Sequence, residues 1–275
     1  MAQHLAPDPP RAEPRDNGAT SRSTGRLAEL GCAWAGLVGL AVALAGFVLA
    51  RFLPLPPKAN DTPTQVVHYY VQHLTSIRVG LMLASLGVCL VGPLLALITL
   101  QMWRLARGGS PVLAILAAIT GAVTWVMLLV PMIVLEVAAF RPGRNPETTQ
   151  ALHDLGWILF LTPVGPFALQ GLVIAAAILT DDREQPLLPR WLGYLNIWVA
   201  LSFVPALLAY FFKSGPFAWH GVFVFYFGVV FYGLWMLIMS VQLRTSVLRW
   251  HAALGPNCGE ATAAHRARLP ASTTS

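Results

Sequence analysis

Residues 189–221 read PRWLGYLNIWVALSFVPALLAYFFKSGPFAWHG, and this stretch decides the class of fold. Between Arg190 and Lys213 the chain runs twenty-two residues, Trp191 to Phe212, without a charge. At a rise of about 1.5 Å per residue, a helix of that length is roughly 33 Å long, enough to cross a hydrocarbon core of about 30 Å. Trp191 and Trp198, Trp219 beyond the far end, and the two flanking cations are residue types that a membrane interface selects. The stretch reads as a transmembrane helix closed by a tight Lys213-Ser214-Gly215-Pro216 turn.

The rest of the chain agrees with it. Of 275 residues, 56% are hydrophobic and only 11% are charged, and the mean hydropathy is +0.63. Soluble domains carry about 25% charged residues, so a soluble fold would leave too much apolar surface bare. The net charge of +6 is spread over tails and loops with no basic run. That distribution suits orientation in a membrane and offers no nucleic-acid partner. Cys32, Cys89 and Cys258 are too scattered for a disulfide framework or a CxxC metal site.

Working outward, five further apolar segments are expected to span: 30–53, 79–103, 112–140, 156–180 and 220–243. The first is too long for a signal-peptide core and reads as a retained span. The fold class is therefore all-α, a polytopic bundle of six spans over 28–252, with disordered cytoplasmic tails at 1–27 and 253–275. With the N-terminus inside, the inner segments hold 12 Lys and Arg residues and the outer segments 6. The excess of positive charge favours cytoplasmic termini.

Two outer loops carry helix-start signals. Thr62-Pro63-Thr64-Gln65 has the composition of a capping box, and Asn145-Pro146-Glu147 begins in the same manner. Each is expected to open a short interfacial helix. Val91-Gly92-Pro93 recurs as Val164-Gly165-Pro166, 73 residues on, and Trp125-Val126 as Trp198-Val199 at the same offset. With Pro131 matched to Pro205 and Arg141 to Lys213, these echoes suggest a two-span parallel repeat. Prolines 93, 131, 163, 166 and 205 all fall inside spans, and the fourth span, with two of them, is expected to break.

Two groups of residues are candidates for a site. On the outer side lie Glu136, Arg141, His153, Asp154, Lys213 and His220, where a carboxylate near the membrane edge must pair, snorkel or hold a proton. The histidines lack the three- or four-residue helical spacing of a metal pair, so no metal is assigned. No span has a histidine near its middle, no nucleotide-binding or nucleophile motif occurs, and no cofactor is called for. The second group would wall a lipophilic pocket: Pro166 and Gln170 at the broken span, and Phe223, Phe227, Phe231 and Trp235 at i, i+4 steps along the sixth.

The wording of Pro189-Arg190-Trp191, Gly193-Tyr194, Asn196 and Phe212-Lys213-Ser214-Gly215-Pro216-Phe217-Ala218-Trp219, with Ala139-Phe140-Arg141-Pro142 and Leu155-Gly156-Trp157, resembles an uncharacterised family of bacterial six-span integral membrane proteins. The resemblance covers residues 50–239. It implies a bacterial inner (plasma) membrane and no activity or site residues. Three functions are compatible with the sequence. The leading one is binding or passing a lipophilic small molecule within the bilayer. The others are an accessory subunit packed on a membrane-protein partner, and a membrane enzyme or metal protein using the outer polar group.

Overall fold

The computed structural model describes residues 17–106 and 109–253, with side chains from residue 23 onward. The described residues form helices and no strands. Six helices are long and apolar enough to cross a membrane: Ser23–Leu49, Leu74–Leu105, Val112–Phe140, Pro146–Leu179, Arg190–Tyr210 and Val222–Ala253. This is the architecture of an integral membrane protein. Residues 1–16 and 254–275 of the expected tails lie outside the described residues, but helix α1 (Asn17–Leu49) begins within the stretch expected to be disordered.

Four of the six spans are interrupted, each at an identifiable place. The second divides at Leu90 into α3 (Leu74–Cys89) and α4 (Val91–Leu105), and the fourth at Thr162-Pro163 into α6 (Pro146–Leu161) and α7 (Val164–Leu179). Both second halves start on Val-Gly-Pro. Proline there falls in the first turn of a new helix, where a missing N–H leaves no bond unmade. In the fifth span, α8 (Arg190–Ser202) gives way to a 3-10 helix, Val204–Tyr210, around Pro205. The sixth begins with a π-helical turn, Val222–Tyr226, before α9 (Phe227–Ala253). The third, α5 (Val112–Phe140), absorbs Pro131 without a break.

Spans two and four thus restart at matching Val-Gly-Pro sites, whereas spans three and five differ at Pro131 and Pro205. Trp125 donates its indole N–H to the carbonyl of Val88 (2.9 Å), beside the break in span two. Its counterpart Trp198 is 72% exposed.

Lipid tails are as apolar as leucine, so helices in a membrane associate through close packing and hydrogen bonds. The first span meets the third helix along facing small residues, Gly39, Ala43, Gly46 and Ala50 against Gly80, Ala84 and Gly87. A Cβ on Gly46 would stand 2.5 Å from the backbone of Gly80 and Ala84. Two arginines finish other helices. Arg78 donates to the carbonyls of Ala139 (2.9 Å) and Phe140 (2.8 Å), capping α5, and Arg183 donates to those of Arg104 (2.8 Å) and Leu105 (3.1 Å), capping α4.

At one end of the bundle, residues 50–62 form a strap between α1 and α2 (Pro63–Gln72). Trp219 donates to Pro57 O (3.0 Å), Tyr226 to Pro54 O (2.8 Å), and Gln150 to Asp61 O (3.0 Å), which fastens the strap across the helix ends. The Thr62–Gln65 capping box is present in both directions. Gly215, with φ of +81°, makes the turn after Lys213.

The expectation of two short interfacial helices needs correcting. Helix α2 packs onto α6 through Val66 and Tyr70, so this face of it meets protein. The Asn145-capped helix is no separate element: it runs unbroken to Leu161 and is the first half of span four.

Candidate functional site

The outer polar residues are placed at separate positions. Among the described residues, no hydrogen bond or ion pair joins any two of Glu136, Arg141, His153, Asp154, Lys213 and His220. Glu136 is half-buried and feels the charge of Arg78, whose donors are committed to the α5 carbonyls. Arg141 is exposed. Asp154, half-buried, lies within electrostatic reach of the exposed Lys213.

His153, grouped in the sequence with the outer polar residues, lies inside the protein core. It is 1% exposed, accepts or donates a hydrogen bond at Nδ1 with Tyr70 Oη (3.0 Å), and sits edge-on to Trp157 and Trp219. Because α6 starts at Pro146, Thr149, His153, Gly156 and Trp157 share its buried face at i, i+4, i+7 and i+8. With Phe52, Tyr70 and Phe225 they form an aromatic core beneath the strap. Burial pushes the Tyr70 hydroxyl well above its ordinary range, with Tyr69 and Asp154 adding to the effect. No group of three or more His, Cys, Asp or Glu among the described residues is arranged to hold a metal ion.

His220 secures the strap. Its Nδ1 accepts from the backbone N–H of Ala59 (3.1 Å), and burial lowers its pKa below the usual histidine value, with Asp61 acting to raise it and Lys58 to lower it.

The opposite end of the bundle carries the densest ionic cluster, which the sequence did not single out. Arg104 forms a two-pronged pair with Glu29 (2.8 and 2.5 Å), while its guanidinium lies 4.8 Å from the ring centre of Trp250. His251 Nε2 stands 3.4 Å from the same carboxylate. Spans one, two and six are tied together there.

Between the two ends is a cavity. Two packed clusters make up the core, one beneath the strap and one towards the ionic end. At their seam lies a partly open cleft of about 110 Å³. Phe47, Val164, Ala206 and Phe225 line it from the first cluster, Val91 and Met236 from the second. Its lining also includes Val88, Leu161, Pro163, Ser202, Phe203 and Val224, which flank or belong to the four interruptions. The breaks in spans two, four, five and six thus converge on one cavity. Among its lining residues, Ser202 and Tyr232 alone have polar side chains. Ser202 donates to Val199 O (2.7 Å), and the buried Tyr232 hydroxyl has no partner.

Of the residues expected to wall a pocket, Phe223 lines this cavity. Gln170 and Trp235 border a small niche that shares Phe167, Phe203 and Tyr232 with it. Pro166, Phe227 and Phe231 line neither. Phe223, Phe227 and Phe231 instead pack on one another along one side of span six, and the buried Trp235 donates to Asn196 Oδ1 (2.9 Å).

No protein-family model matches the chain, and no curated protein or solved structure matches it.

Proposed function

We propose that this six-span protein binds a lipophilic small molecule in the cavity where its helix breaks meet. The observation that carries this reading is the convergence of four separate interruptions on one apolar cleft. A single proline kink is a routine packing device. Four spans that each give up regular geometry at the same place leave a space that close packing would have filled. The walls of the cleft are almost wholly apolar, so an apolar guest is the occupant that makes dispersion contacts with them.

A diazirine-bearing alkane in nanodiscs tests the site. Photolabelling is expected to be saturable and concentrated on peptides containing Phe203–Ala206 and Phe223–Met236. Gly228 lines the cavity, and a Cβ there meets nothing within 4 Å. Gly228→Leu should therefore fill the space without a backbone clash and abolish the saturable component. Labelling spread over all lipid-facing peptides, unchanged in G228L, would refute the reading.

We place both termini in the cytoplasm of a bacterial cell. The supporting observation is the twofold excess of Lys and Arg, 12 against 6, on the side that carries the termini. Lys58→Cys should then react with an impermeant maleimide from outside intact cells and Glu184→Cys should not. The opposite pattern would invert the topology.

A further inference from the structure

Tyr232 carries the inference beyond an apolar guest. Its ring is stacked on Trp235 (centroids 5.4 Å apart) and set edge-on to Phe167 (5.6 Å). Its hydroxyl is buried and has no hydrogen-bond partner. The residue lines both the cavity and the adjoining niche. Gln170, 3% exposed, borders the same niche, and its amide nitrogen is also without a partner. A phenol O–H and an amide N–H are both donors. Leaving donors unmet in a low-dielectric interior is costly, whereas a phenylalanine would have packed there at no such cost.

We infer that the guest carries a hydrogen-bond-accepting oxygen, such as a carbonyl, which receives the Tyr232 O–H while the apolar body occupies the cleft. This rests on the proposed lipophilic site and names the class of molecule it takes. Serine 202 does not compete for the role, because its hydroxyl proton is already given to Val199.

The test compares two photoprobes of equal chain length, a diazirine alkane and a diazirine alkan-2-one, on the wild type and on Tyr232→Phe in nanodiscs. The wild type should take the ketone with roughly fivefold to tenfold lower half-saturation than the alkane, the value of one buried hydrogen bond. In Tyr232→Phe the half-saturation of the ketone should rise to that of the alkane on the same variant, whose fold is checked separately by its unfolding midpoint in detergent. Equal half-saturation of the two probes in the wild type, as expected if water satisfies Tyr232, overturns this inference and leaves the lipophilic site standing. A ketone preference that persists in Y232F also overturns it. Saturable labelling by neither probe removes the site itself.

Discussion

Glu29 and Arg104 show what a single pair of residues does in this molecule. Both side chains are nearly buried, at 13% and 11% exposure, and their two hydrogen bonds join span one to span two. Glu29→Gln leaves the guanidinium with a neutral partner in a low-dielectric site. Removing one member of a buried pair costs roughly 3–5 kcal/mol, so E29Q should lower the midpoint of thermal unfolding in detergent markedly. Arg104→Met combined with Glu29→Leu should recover much of that loss, because it removes both charges. If E29Q unfolds like the wild type, the pair is only a surface contact. Residue roles were the least legible part of the sequence. Glu136 was among the residues singled out near the membrane edge, while Glu29, just ahead of the first expected span, was not. Burial decides between them, and burial here depends on which helix lies opposite. His153 was misplaced for a related reason: the Asn145-Pro146 start moves the helix boundary outward and turns the histidine into the core.

Helices α1 and α3 approach as closely as their glycines allow. Gly46→Leu must drive a side chain into the backbone of Gly80 and Ala84, and overpacking of this kind typically costs about 1–3 kcal/mol or more. The expected outcome is a lower yield of folded, monodisperse protein by size-exclusion chromatography, while Gly25→Leu, where an added Cβ meets nothing within 4 Å, should be neutral. Equal yields would show that the α1–α3 contact is not limiting. The strap gives a pH prediction. Its Ala59 N–H needs an unprotonated Nδ1 on His220. The folded-state pKa of His220 lies below its ordinary 6.5, so the unfolded or released form binds the proton more readily. Stability of the latch is then full above pH 6.5 and falls as pH drops through and below that value. Protection factors of the amides of residues 58–61, corrected for intrinsic exchange, should fall in mild acid, and His220→Gln should flatten that dependence; protection that does not change with pH in the wild type would disprove the latch. At this scale the sequence was readable where a local rule governs. The capping box at Thr62, the turn at Gly215 and the break at Pro163 all follow from chemistry within a few residues. The π turn at Val222–Tyr226 did not, since Val-Phe-Val-Phe-Tyr has the composition of an ordinary apolar helix.

Across the whole molecule, six spans were legible because bilayer thickness imposes a length that apolar runs must match. Their arrangement was not. Prolines announce where a helix is interrupted, yet nothing in one span says which interruption in another will face it. The aromatic stripe of span six shows the same limit: Phe223, Phe227 and Phe231 meet edge-on along one side, while the unpartnered hydroxyl at the cavity belongs to Tyr232, one residue round the helix. We propose that this assembly holds a lipophilic guest. The most direct measurement is mass spectrometry of the organic extract from protein purified out of its native membrane, wild type beside Gly228→Leu. A defined apolar compound bearing an acceptor oxygen is expected, near one per chain in the wild type and depleted in G228L. The same bulk-lipid profile from both proteins, with nothing enriched, would contradict it.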